Sequence, residues 1–112
     1  MTPGLVMKWF LATAYCACAV CTGPSSPERG GHGLTRSGVY PVAGWTVACA
    51  PELTARRQLL WFPGRGLVQC EDTGRLVQSA RRIDVFMESH EAALKFGRRR
   101  VRLAAVATPK EP

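Results

Sequence analysis

Short apolar runs broken by turn residues constrain this chain more than any other feature. From Leu5 to Tyr15 the bulk alternates, with Leu5, Met7, Trp9, Leu11 and Thr13 on one face and Val6, Lys8, Phe10 and Ala12 on the other. That is the period-two pattern of a strand. Further short strands are expected at Trp45 to Ala50, Gln58 to Phe62, Gly66 to Cys70, Arg82 to Met87 and Arg100 to Val106, separated by turn signals such as Pro63-Gly64 and Thr73-Gly74. One helix stands out over 89-96: Ser89 is its N-cap, Glu91 sits in the first turn where the helix dipole favours an anion, and Gly97 ends it. Six strands and one short helix in 112 residues predict a mainly β fold, a small six-stranded barrel. One domain is expected over 5-106, followed by a flexible tail over 107-112.

The N-terminal segment imitates a secretory signal, but Lys8 lies inside the apolar stretch, and Trp9, Phe10 and Tyr15 make it bulky and β-prone. No export signal is therefore expected. Because Lys8 also interrupts Leu5 to Val20, no run reaches the roughly 18 apolar residues of a spanning helix. Fifteen Lys and Arg against eight Asp and Glu give a net charge of +7, and twelve of the cations are Arg, which favours planar recognition of carboxylate or phosphate groups. Nucleic acid, an anionic membrane surface and an acidic wall polymer would all be attracted. The arginines are dispersed as Arg56-Arg57, Arg65, Arg75, Arg81-Arg82 and Arg98 to Arg102, without the interleaved aromatics of a nucleic-acid reader. Specific nucleic-acid binding is not expected.

The chain's two aspartates are the informative acids. Asp72 follows the strand Leu67 to Cys70, at a strand-to-turn junction. Asp84 alternates with Ile83, Val85 and Met87 and so points away from them. Two carboxylates can thus meet on one side of a barrel, where repulsion raises one pKa and leaves a protonated acid beside an ionised partner. The simpler alternative is a turn cap for Asp72 and an ion pair with Arg82 or Arg81 for Asp84.

Six segments in order resemble the 3D domain: Thr13-Ala14-Tyr15-Cys16, Gly33-Leu34-Thr35-Arg36-Ser37-Gly38, Gly44-Trp45-Thr46-Val47-Ala48, Glu71-Asp72-Thr73-Gly74, Arg82-Ile83-Asp84 and Glu88 to Gly97. This module of cell-wall-active bacterial proteins, named for three aspartates, is a double-psi β-barrel similar to the catalytic barrel of the MltA-type lytic transglycosylases. The resemblance implies Asp72 as catalytic acid and Asp84 as its supporting partner. Ala50 stands where the third aspartate would be expected, and Arg75 to Ser79 replaces a Gly-Ala-Ile-Lys-Gly-like stretch. The implied reaction cuts the bond between N-acetylmuramic acid and N-acetylglucosamine in peptidoglycan glycan strands and leaves 1,6-anhydro ends. One carboxyl group suffices, since the muramic 6-hydroxyl is the nucleophile and the acid that protonates the leaving oxygen can take back the hydroxyl proton. Thr35, Ser37, Thr73, Gly74, Arg82 and His90 are the candidate substrate-binding residues. The alternative is a glycan-binding or structural barrel that lost catalysis with the aspartate replaced by Ala50.

Cys16, Cys18 and Cys21 form a Cys-x-Cys-x-x-Cys cluster, to which His32 could add a fourth ligand. A disulfide or free thiols are the expected state, with no metal and no cofactor. Five cysteines cannot all pair, and their number does not settle the redox compartment. Arg100 and Arg102 form the wet face of the last strand, with Val101, Leu103 and Ala105 inward. They would also attract anionic wall polymers. The site of action implied is the cell wall, periplasm or exterior, reached by lysis or as part of a larger assembly.

Overall fold

The computed structural model describes residues 6–79 and 81–106; Leu5 of the expected domain and the expected tail 107–112 lie outside the described residues. The alternating runs become strands: β1 (Lys8–Tyr15), β2 (Thr46–Ala48), β3 (Leu59–Phe62), β4 (Gly66–Asp72), β5 (Arg82–Phe86) and β6 (Arg99–Val106). They close a barrel in the order β1-β5-β2-β4-β3-β6. Strand directions are mixed, with β1 parallel to β5 and β2 parallel to β4. The remaining neighbours are antiparallel. Closure removes the exposed edges that so short a set of strands would otherwise present.

Alternation decides what fills the barrel. Phe10 and Ala12 of β1, Leu60 and Phe62 of β3, Val68 and Cys70 of β4, Ile83 and Val85 of β5 and Leu103 of β6 form one buried cluster. On β6, Leu103 is buried as an inward position should be, whereas Ala105, also expected inward, pairs with Leu60 but is exposed where the barrel end opens. Its neighbour Ala104 is buried instead, opposite Trp61. A cross-strand neighbour that large shields a methyl group on the outer face.

The expected helix is α3 (His90–Phe96), capped by the Ser89 side chain accepting from the Ala92 amide at 3.0 Å and stopped at Gly97 with φ 67°. Two short helices were not expected: α1 (Ala19–Thr22) and α2 (Pro51–Ala55). The second cuts the expected strand 45–50 short, because Pro51 has its φ pre-set for a first helical turn. A disulfide joins Cys49, just past β2, to Cys70 of β4, with Cα atoms 5.6 Å apart. It staples two neighbouring strands within the core.

From Gly23 to Trp45 the chain is irregular apart from two single 3-10 turns, Gly23–Ser25 and Pro27–Arg29. This loop is nevertheless packed. Ser26 is fully buried, its hydroxyl donating to Ala17 O at 2.6 Å, and any Cβ at Gly31 would collide with the Ser25 carbonyl.

Candidate functional site

Register assembles the site. Across the sheet, Thr13 of β1 pairs with Asp84 of β5, Asp84 with Ala48 of β2, and Ala48 with Asp72 of β4. A methyl group therefore separates two carboxylate-bearing positions whose backbones lie roughly 10 Å apart, two strand spacings. Both aspartates border one cleft of about 670 Å³, floored by Ala48 and flanked by Tyr15, Thr73 and Gly74. The altered stretch Arg75 to Val77 forms a single 3-10 turn on its wall.

The two carboxyl groups have different environments. Asp72 accepts three hydrogen bonds: from the Tyr15 hydroxyl to Oδ2 at 2.9 Å, and from the Arg36 and Thr73 amides to Oδ1, each at 2.9 Å. The long loop thus reaches the site through the Arg36 backbone. Tyr15 is buried at the end of β1, edge-on to Phe86. Burial, then the Asp72 charge, push its phenol above the usual range, so it stays a donor. Asp84 is half-buried and accepts from Thr13 Oγ1 at 3.0 Å. Burial first, and the Asp72 charge with it, outweigh the Thr13 bond and the Arg82 charge and push Asp84 up to about 6. Among the described residues neither aspartate forms an ion pair within 4.0 Å.

The expected binding residues divide. Thr73 and Gly74 border the cleft, and the Thr73 hydroxyl is buried without a hydrogen-bond partner. Thr35 is buried in a small adjoining hollow beside Tyr15 and Asp72, with its hydroxyl turned to the Val39 amide. Ser37 faces a separate depression with Arg57 and Thr54, which neither aspartate borders. Arg82 acts on Asp84 by charge alone. His90 lies outside the cleft, its Nδ1 3.5 Å from both Cys18 Sγ and Cys21 Sγ and 3.9 Å from Cys16 Sγ. The cysteine cluster thus gathers around His90, not His32, whose Nδ1 accepts from the Leu34 amide at 2.8 Å. Within the cluster, Cys18 is the thiol driven down, by its hydrogen bond with Cys16.

Tyr15, Thr13, Ala48 and the Arg36 amide escaped sequence reasoning because each acts through a cross-strand or loop partner far along the chain. Ala50, set against a missing aspartate, is fully buried at the N-cap of α2. Its carbonyl accepts from Leu53 and Thr54, and it does not border the cleft. Compared with protein-family models and with curated proteins, the chain matches none. No helix among the described residues is long and apolar enough to cross a membrane.

Proposed function

We propose that the cleft cuts peptidoglycan glycan strands as a lytic transglycosylase, with Asp84 carrying the proton and Asp72 as its fixed partner. The observation behind this reading is a carboxyl group raised to about 6, facing an open cleft one residue across from a second carboxyl group that is held by three donors. This environment favours exchanging the two roles that the motif positions imply. A general acid works best when its pKa lies near the operating pH, and Asp84 is the group so placed.

Protonated Asp84 donates to the glycosidic oxygen as the bond to the anomeric carbon breaks. The muramic 6-hydroxyl closes on that carbon and passes its proton to the Asp84 carboxylate. The acid is regenerated, no water is consumed, and the product carries a 1,6-anhydro ring. Asp72, locked by Tyr15 and two amides, holds its carboxyl oxygens towards the positive charge that develops on the ring.

Two further features support a wall substrate. Arg100 and Arg102 lie over exposed Trp9 at 5.3 and 5.6 Å, a cationic face suited to anionic wall polymers. The Cys49–Cys70 disulfide suits an oxidising compartment. The test is digestion of purified peptidoglycan with the wild type, Asp84→Asn and Asp72→Asn, followed by mass spectrometry. Anhydro ends are expected from the wild type, declining as pH rises above about 6, and from neither variant in quantity. Binding to sacculi without any anhydro product would instead support a glycan-binding barrel and overturn the enzymatic reading.

A further inference from the structure

Cys16, Cys18, Cys21 and His90 are separated by up to 74 positions, yet their ligand atoms all lie within 4.8 Å of one another. Cys16 Sγ and Cys21 Sγ are 3.8 Å apart, and His90 Nδ1 stands 3.5, 3.5 and 3.9 Å from the three sulfurs. Zinc bound at about 2.3 Å to sulfur and 2.0–2.1 Å to nitrogen in a tetrahedron requires sulfur–sulfur edges of about 3.8 Å and sulfur–nitrogen edges of about 3.5 Å. The Cys16–Cys21 edge and the three edges to His90 approximate that figure, and the two remaining sulfur–sulfur edges lie within 4.8 Å. Packing alone is a poor explanation, because Cys18 and His90 are only half-buried and lie outside the hydrophobic clusters, while Cys21, also half-buried, packs on the edge of the Tyr15, Ala48, Val77 and Phe86 cluster.

The backbone around the cluster is fixed by bonds that owe nothing to metal. The Met87 amide donates to Tyr15 O at 2.7 Å, tying the end of β5 to the end of β1, and the Ser89 cap sets the first turn of α3 that carries His90. The Cys21 amide and the Thr22 hydroxyl both donate to Cys18 O, and Ser26 holds Ala17 O. A depression lined by Glu28, Glu88 and His90 leads from solvent to Cys16 and Cys18 and provides an entry path.

The geometry points to a zinc site formed by the three cysteine sulfurs and His90 Nδ1. Three soft thiolates and an imidazole in tetrahedral array suit zinc, and four protein ligands leave no position for water or substrate. The site is structural. On binding, the thiols lose their protons to solvent and the sulfurs become ligands as thiolates. The metal would join the end of β1, α1 and the first turn of α3. Cys21 borders the cleft, and Cys16 follows the Tyr15 that holds Asp72, so zinc would brace one wall of the candidate site.

The test uses the full chain, purified without chelator under conditions that keep thiols reduced. Metal analysis should find one zinc per chain, and cobalt exchange should give the visible bands of a tetrahedral thiolate complex. His90→Ala should weaken retention against a competing chelator by more than about tenfold. His90→Cys should keep the zinc with a shifted cobalt spectrum, and His32→Ala should change neither reading. Wild-type protein that takes up well under one equivalent, or that shows no tetrahedral cobalt spectrum, overturns the site. So does loss of metal in His32→Ala with none in His90→Ala. The wild-type measurements stand even if a variant fails to fold, and none of them depends on glycan cleavage.

Discussion

Replacing Asp84 by Asn should make the protein more stable, and only above the pH at which the aspartate ionises. The folded protein raises this carboxyl from 3.8 to about 6. Between those values the unfolded chain has released a proton that the folded chain still holds, so wild-type stability falls as pH rises through this window and stays lower beyond it. The rise corresponds to up to about 3 kcal/mol, trimmed to about 2 kcal/mol by the partial exposure of the group. Asn is isosteric and its Oδ1 still accepts the Thr13 hydroxyl, so the variant keeps the contact and loses the titration. The groups facing position 84 are Asp72, Arg82 and Thr13. The repulsion with Asp72 is already part of that rise, so removing the charge relieves it within the same figure. Thermal unfolding of both proteins at intervals from pH 4 to pH 8 should show melting points that converge at the acid end. By pH 7 the variant should lead by about 8 °C for a chain of this size. A melting-point difference that is constant with pH, or a variant less stable at pH 8, would refute the burial argument and with it the assignment of Asp84 as the raised acid.

Tyr15→Phe removes one of the three donors to Asp72 while keeping the ring against Phe86. It should cost about 1 kcal/mol by denaturant titration and lower anhydro-product formation by about tenfold or more. Ala48→Leu places a branched side chain between the two aspartates; circular dichroism should show a retained β fold and muropeptide analysis no product, and undiminished product would show that substrate does not cross that floor. Replacing Cys49 and Cys70 together by Ala opens a closed loop of 21 residues. Chemical denaturation should register a loss of about 3 kcal/mol, and an unchanged midpoint would mean that the barrel is held without the cross-link.

Much of the architecture was legible along the chain because it depends on local rules. Alternation placed all six strands, the Ser89 cap and Gly97 placed α3, and the side opposite Ile83 and Val85 correctly received Asp84. The short helices α1 and α2 lack capping signals: neither N-cap residue, Cys18 nor Ala50, makes a side-chain cap hydrogen bond, and only Pro51 at the start of α2 offers a local cue. They form because the surrounding barrel leaves those segments that course.

The sequence by itself thus determined most of the inward positions and where the chain turns, and left two carboxylates able to meet on one side of a barrel. Only the tertiary structure decided who faces whom. Period-two alternation assigns a residue to a face but says nothing of its neighbour on the next strand, which closure and register select from anywhere in the chain. Ala48 therefore separates Asp84 from Asp72, and Tyr15 holds an aspartate 57 positions away. The same cause took His90 out of the cleft and set it among three sulfurs, at a distance in sequence that no spacing motif spans.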